Sequence, residues 1–188
     1  MKRVTFYLCV AMFAVIAISM LPCAEAQIKA TSNTCDLYTK TDAEALFRET
    51  VSDGIVKKTA APAGESCRYT FKKKGGTFGV TIKTSTTPVI KQEGIFDSAK
   101  DIMARQKKAR SSSEHAAKKF KAIPGLGEDA FWSGTDLWVV KGETLAVITV
   151  HSVLEGTFKN RDALDAAHNE QNLTLSRKVA EVAISRVK

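Results

Sequence analysis

Side chains that could carry out acid–base or metal chemistry are few and scattered along this chain. Its three histidines, His115, His151 and His168, lie far apart, and none has cysteines or paired carboxylates at the spacing of metal ligands. The sequence therefore predicts no metal site and no cofactor. His151 ends an apolar run, where it could contact a ligand or have a structural role, and both interpretations stay open.

The motifs of common enzyme classes are missing from the sequence. No Gly-x-Ser-x-Gly is present, which excludes the usual nucleophile elbow of α/β hydrolases. Glu128 and Asp129 are neighbours, so on a strand they would point to opposite faces and form a poor acid–base pair. The glycines of Gly125-Leu126-Gly127 are better explained by a turn than by a phosphate-binding loop. We therefore expect a protein that is not an enzyme.

The first 26 residues have the composition of an export signal. Lys2 and Arg3 precede an apolar run over residues 4–21, and Ala24-Glu25-Ala26 supplies the small residues of a cleavage site. We predict cleavage near Ala26 and a single extracytoplasmic domain over residues 27–188, either periplasmic or secreted. A retained membrane anchor is the alternative, because the apolar run is nearly long enough to cross a bilayer.

Two cysteines remain after this cleavage, Cys35 and Cys67. Disulfides persist in the compartments that exported proteins reach, so we expect the two to be bonded. A redox-active or metal-binding pair is the alternative. It is disfavoured because the spacing is not Cys-x-x-Cys and no histidine is close in the sequence.

The chain is basic, with 28 lysines and arginines against 20 acidic residues and a net charge of +8. Loss of residues 1–26 removes Lys2, Arg3 and Glu25 and leaves +7. Such a surplus favours anionic partners, such as lipid headgroups or polyanionic glycans. We expect no specific recognition of nucleic acid. The alternative is a basic protein whose lysines are scattered and have no partner.

Residues 67–83 alternate between apolar and polar side chains and are interrupted by Gly75-Gly76, which predicts a hairpin. A turn at these two glycines would place Phe71 opposite Val80. The apolar side chains would then share one face. The other face would carry a basic strip that consists of Arg68, Lys72, Lys74 and Lys83.

The basic strip has two interpretations. Lysines on an exposed strand face commonly keep a sheet soluble and discourage edge pairing. Alternatively, the strip binds an anionic ligand, with help from Lys118, Lys119 and Lys121.

Residues 123–150 contain the densest run of strand and turn signals. Turns at Ser133-Gly134 and Gly142-Glu143 predict three antiparallel strands, with Trp138 opposite Val147. Both faces of this meander are apolar. Either helices cover both faces, or one face is an exposed surface that binds a protein or an apolar ligand. The candidate binding residues are Phe131, Trp132, Trp138 and His151.

Helical signals separate the strands. A capping box at Thr41 and Glu44 predicts a first helix. Helical periodicity predicts a second helix over residues 96–109 and a last one from about Thr174. Residues 57–65 are predicted to be a loop, and residues 155–171 an irregular stretch in which residues 163–167 could form a helical turn. The order α-β-β-α-β-β-β-α predicts an α+β fold, with an antiparallel sheet of about five strands and helices packed on it.

Three short motifs resemble a pattern found in uncharacterised exported bacterial proteins and lipoproteins, which are families of unknown function. They are Cys35-Asp36-Leu37, Cys67-Arg68-Tyr69 and the stretch 124–131, PGLGEDAF. The resemblance implies a small extracytoplasmic α+β domain with a cysteine pair. It transfers no catalytic residue, and this chain lacks the lipobox of the lipoprotein members.

We therefore expect a binding or accessory domain of the cell envelope that engages an envelope protein or a small apolar ligand through its sheet. The alternative is an electrostatic binder of anionic envelope polymers or lipid headgroups through the basic strip.

Overall fold

Seven antiparallel strands form one sheet in the computed structural model, which describes residues 33–188. The signal peptide predicted for residues 1–26 lies outside the described residues. Across the sheet the order is β1-β2-β3-β7-β6-β5-β4. The strands are β1 (Ile55–Ala60), β2 (Ala63–Lys73), β3 (Gly76–Thr86), β4 (Lys121–Ala122), β5 (Asp129–Trp132), β6 (Asp136–Lys141) and β7 (Thr144–His151).

Six helices accompany these strands within the described residues, and none of the six is long and apolar enough to cross a membrane. The α+β class and the antiparallel sheet are confirmed. The helices are α1 (Thr34–Leu37), α2 (Lys40–Phe47), α3 (Thr87–Glu93), α4 (Ala99–Ser112), α5 (Glu114–Ala117) and α6 (Arg161–Ser185).

The sheet has seven strands instead of about five, because the sequence analysis missed the two edge strands. Most of β1 falls in the loop predicted over residues 57–65. Nearly all of its side chains are exposed, and its centre is Lys57-Lys58. Strand β4 is only two residues long. Neither strand has the apolar alternation by which buried strands are recognised. The predicted element order is therefore incomplete.

The β6–β7 register of the meander is confirmed, with Trp138 opposite Val147. The β5–β6 register differs by two residues, because a two-residue turn at Ser133-Gly134 would place Phe131 opposite Asp136, whereas Phe131 lies opposite Trp138. The preceding hairpin was predicted with the wrong register. Its turn is Lys74-Gly75, both with left-handed backbone at φ 49° and 77°, so that Phe71 lies opposite Phe78 and not Val80. Because the shift is two residues, each side chain keeps its predicted face.

Helix α2 begins two residues earlier than predicted. Thr39 is its N-cap, and Asp42 completes the capping box, in place of Thr41 and Glu44. Both pairs have the required spacing, so the sequence alone could not separate them. In the second half of the chain, the predicted helix over residues 96–109 is α4, which begins after its N-cap Ser98 and ends at Ser112.

Helix α6 is 25 residues long and includes most of the segment predicted to be irregular. Its N-cap is Asn160, whose side chain accepts a hydrogen bond from the backbone of Ala163. The first half shows no apolar stripe, because polar side chains there face the sheet. Asn169 accepts a hydrogen bond from Trp132 at 3.0 Å, and His168 lies 3.1 Å from the carbonyl oxygen of Ser152.

Two hydrophobic cores lie on the two faces of the sheet. The larger core is covered by α1, α2 and α6, and the smaller one by α3 and α4. The predicted bond between Cys35 and Cys67 is confirmed; it ties the segment of α1 to β2. This disulfide is compatible with an extracytoplasmic location.

Candidate functional site

The three aromatic side chains that could have formed an exposed surface are buried. Phe131 and Trp132 are 0% exposed and Trp138 is 9% exposed. Trp132 lies in the larger core, next to α6, whereas Phe131 and Trp138 stack in the smaller one with ring centroids 5.8 Å apart. The meander is therefore covered on both faces. The alternative of an exposed aromatic surface is wrong, because helices from distant parts of the chain pack on each face.

His151 is exposed at the end of β7, opposite Gly79 of β3. The other two histidines lie on α5 and α6, so the fold does not assemble the three. Among residues 33–188 no group of three His, Cys, Asp or Glu side chains is arranged to hold a metal ion.

Helices α3 and α4 leave part of one sheet face uncovered. We call this part the open face and define it by residues that are aligned across β1, β2, β3 and β7. Cross-strand pairing places Arg68 opposite Thr81, and Thr81 opposite Thr149. The members of the open face are Lys57, Arg68, Thr70, Lys72, Thr81, Thr149 and His151.

Only half of the predicted basic strip is available for a ligand. Arg68 and Lys72 are exposed, and no carboxylate of the described residues lies within 4.0 Å of either. Lys74 is in the hairpin turn and pairs with Glu155 at 3.3 Å. Lys83 is half-buried and donates a hydrogen bond to the Ala61 carbonyl oxygen at 2.9 Å, and burial lowers the pKa of its ammonium group.

Lys57 is a member of the open face that the sequence analysis missed. It was assigned to a loop, whereas β1 places it opposite Ser66, on the same face as Arg68. No local pattern reveals it, because Lys57 and Lys58 are adjacent and residues 59–66 contain no basic side chain that would continue the alternation of β2.

The second group of lysines does not join the basic strip. Lys118, Lys119 and Lys121 lie in or next to β4, which is five strand positions away from β2. At the usual strand spacing this separation is about 24 Å. Lys121 also pairs with Glu170 of α6 at 2.7 Å.

Hydroxyl groups lie between the cations of the open face. Thr149 donates to Asp136 Oδ1 at 2.6 Å, and the Thr70 hydroxyl lies 3.3 Å from that of Ser52. The hydroxyl groups of Thr70 and Thr149 are thus engaged within the protein, and the Asp136 carboxylate lies opposite Thr149. Gly79 lies between Thr70 and His151, so the sheet has no side chain at that point. A larger residue would not fit there, because its Cβ atom would lie 2.0 Å from the Tyr69 carbonyl oxygen. The open face therefore offers an anion its positive charges at Lys57, Arg68 and Lys72 on a flat support, on the side away from Asp136.

A cleft of about 410 Å³ lies between α2 and α6, beside the end of β2. A salt bridge crosses its rim, where Lys73 Nζ lies 2.7 Å from Glu49 and 4.0 Å from Glu155. Its apolar lining consists of Leu46, Phe47, Phe71, Val153 and Leu175.

Comparisons of the chain with protein-family models, with curated proteins and with solved structures found no match. The resemblance to uncharacterised exported proteins therefore stays a prediction, and no activity or partner is transferred from a relative.

Proposed function

We propose that this protein is an exported, non-enzymatic accessory domain that binds anionic polymers or lipid headgroups of the cell envelope through its open face. The observation that supports the proposal is the exposure of Arg68 and Lys72 on one strand, with no carboxylate of the described residues within 4.0 Å.

The spacing of the open face suits a ligand with repeated charges. Arg68 and Lys72 are four residues apart on β2, which corresponds to about 13 Å along the strand. That distance exceeds the screening length of about 8 Å at physiological salt, so a single anion would contact only one of them strongly. A polymer or a membrane surface would contact both, together with Lys57 at the neighbouring strand.

The test is binding of the purified protein to vesicles of phosphatidylglycerol and to soluble polyphosphate as the salt concentration rises. Replacing Arg68 and Lys72 by glutamine should weaken binding at low salt and should lower the slope of log affinity against log salt by roughly two, about one for each lost contact. Vesicles of phosphatidylcholine should not bind. Preference for the vesicles or for the polyphosphate distinguishes the two sources of anions.

The matched control replaces Lys118 and Lys119 by glutamine. It changes the net charge by the same amount at exposed positions far from the open face. If the protein binds by net charge alone, the two double variants will weaken binding equally, and the proposal fails. Binding that does not depend on salt would contradict it as well.

A second candidate function is the binding of a small apolar ligand, favoured by the cleft between α2 and α6. An uncharged apolar ligand, such as a medium-chain alcohol, would place its chain on Phe47, Phe71 and Leu175. Leu175→Arg should weaken its binding about tenfold or more, a loss of about 1.4 kcal/mol. Leu164→Arg, at an exposed leucine of the same helix outside the cleft, should have no effect. Equal binding by all three proteins would contradict this function.

A further inference from the structure

The outer edge of β1 has no partner strand among the described residues. Strand β1 pairs with β2 on its inner side and is the first strand in the order of the sheet. It is six residues long, whereas β4 at the opposite edge has two. An unpaired edge of this length presents backbone N–H and C=O groups that can pair with another chain.

Apolar side chains on β1 are exposed on both faces of the sheet. Ile55 is 48% exposed and lies opposite Arg68, on the open face, while Val56 is 44% exposed and lies opposite Cys67 on the other face. Both belong to the few large apolar side chains of the described residues that are exposed. An added strand with apolar residues at two consecutive positions would cover them together, because successive side chains point to opposite faces.

The centre of β1 is positively charged. Lys57 and Lys58 are exposed, and neither has a carboxylate of the described residues within 4.0 Å, although Lys58 lies opposite Glu65. These charges disfavour a second copy of this chain as the partner. Antiparallel pairing of two copies over all six residues would place Lys57 of one copy opposite Lys58 of the other, and like charges directly opposite are destabilising.

We propose that β1 accepts an extended segment of another protein as an eighth strand, and that this segment carries two adjacent acidic residues next to two β-branched apolar ones. Backbone hydrogen bonds would supply the general affinity, the acidic pair would face Lys57 and Lys58, and the apolar pair would cover Ile55 and Val56. This interaction is separate from the binding of a polyanion to the open face, since it requires a peptide backbone in strand conformation.

The test uses the purified protein and a short synthetic peptide in which two adjacent glutamates are flanked by valines and threonines. We expect the peptide to slow hydrogen exchange at backbone amides within residues 55–60 and not at residues 121–122 of β4. Exchanging both lysines for glutamate, K57E and K58E, should weaken binding about fivefold or more, since two favourable charge pairs become unfavourable. The same variant should bind a peptide with lysines in place of the glutamates more tightly than the parent protein does.

A second peptide separates strand addition from simple charge attraction. It has the same charge, but prolines replace two of its flanking valines, which removes backbone donors and prevents continuous pairing. Equal binding of the two peptides would overturn the proposal and leave only an electrostatic contact, as at the open face. If exchange at residues 55–60 slows when only the protein concentration rises, a second copy of the chain is the partner. If exchange is slow at every protein concentration without peptide, the chain itself already covers β1. Either result would also overturn the proposal.

Discussion

The carboxylate of Asp42 connects two ends of the described chain. It accepts hydrogen bonds from the backbone and hydroxyl groups of Thr39, both at 2.8 Å, and from the guanidinium group of Arg186, with Nη2 at 3.1 Å from Oδ1. The hydrogen bond from Arg186 is the main cause that lowers the pKa of Asp42 to about 2. The sequence predicted a cap in this region, but it could not predict a partner 144 residues away.

This contact predicts a dependence of stability on acid pH. The pKa of Asp42 is about 2 in the folded chain, against roughly 3.9 for an aspartate in an unfolded one. The folded state therefore binds fewer protons between these values, so the contribution of Asp42 is fully present above about pH 4 and is lost as the pH falls towards 2. Chemical unfolding of the parent protein and of Asp42→Asn across this range should show that the difference in unfolding free energy shrinks with acidity. A constant difference would contradict the assignment.

At the level of elements, the disulfide holds the segment of α1 against β2. Gly54, which follows α2, packs between these parts, since a Cβ atom there would lie 2.9 Å from Cys35 Sγ and 3.1 Å from Cys67 Sγ. Tyr69 next to the disulfide donates a hydrogen bond to the Tyr38 carbonyl oxygen at 2.9 Å, and burial raises the pKa of Tyr69. The covalent bond, the glycine and the tyrosine therefore fix one corner of the larger core.

Removing the disulfide should destabilise the protein without changing its fold. The two cysteines are 32 residues apart, and closing a loop of this length stabilises a folded chain by about 3 to 4 kcal/mol on the chain-entropy model. Replacing both cysteines by serine should lower the unfolding free energy by that amount in urea titrations. The parent protein in reductant should lose a similar amount. A loss below about 1 kcal/mol would mean that the corner is held by packing instead.

The elements that could be predicted are those whose turns and alternation are local. The β6–β7 hairpin was predicted with its register, because Gly142-Glu143 fixes the turn and both flanking strands are apolar. The turn between β5 and β6 was predicted at Ser133-Gly134, two residues too short to give the observed pairing of Phe131 with Trp138. Strand β1 and the first half of α6 could not be predicted, since their polar residues take their roles from distant partners. The β2–β3 turn failed for another reason: Lys74 adopts the left-handed backbone that the prediction reserved for glycine.

At the level of the whole molecule, the helices decide which surfaces are available to a ligand. The sequence showed that the meander has two apolar faces, but exposure depends on where α4 and α6 pack. It placed Arg68, Lys72 and Lys83 on one face of a hairpin, yet Lys83 donates to Ala61, and Lys74 lies in the turn, where it pairs with Glu155. The sequence therefore predicted on which face of the sheet a candidate residue lies, but not whether its side chain is free to bind a ligand.

The two cores share strands β5, β6 and β7, which predicts that the two helical layers unfold together. Trp132 reports on the larger core and Trp138 on the smaller one. The variants W138F and W132F each leave one tryptophan as a probe, and in each variant the fluorescence midpoint in urea should coincide with the midpoint from circular dichroism. A mismatch in either variant would show that one helical layer separates from the sheet before the other.

The same two variants should differ in how far they lower the free energy of unfolding. Trp132 donates a hydrogen bond to Asn169 at 3.0 Å, whereas the indole nitrogen of Trp138 has no hydrogen-bond partner among the described residues. Replacing Trp132 by phenylalanine deprives the partly buried Asn169 side chain of this bond, a further loss of about 1 to 3 kcal/mol beyond the lost ring volume. We therefore expect W132F to lower the unfolding free energy more than W138F. The reverse order would mean that packing beneath α4, not the hydrogen bond that Trp132 donates to α6, dominates the stability of the meander.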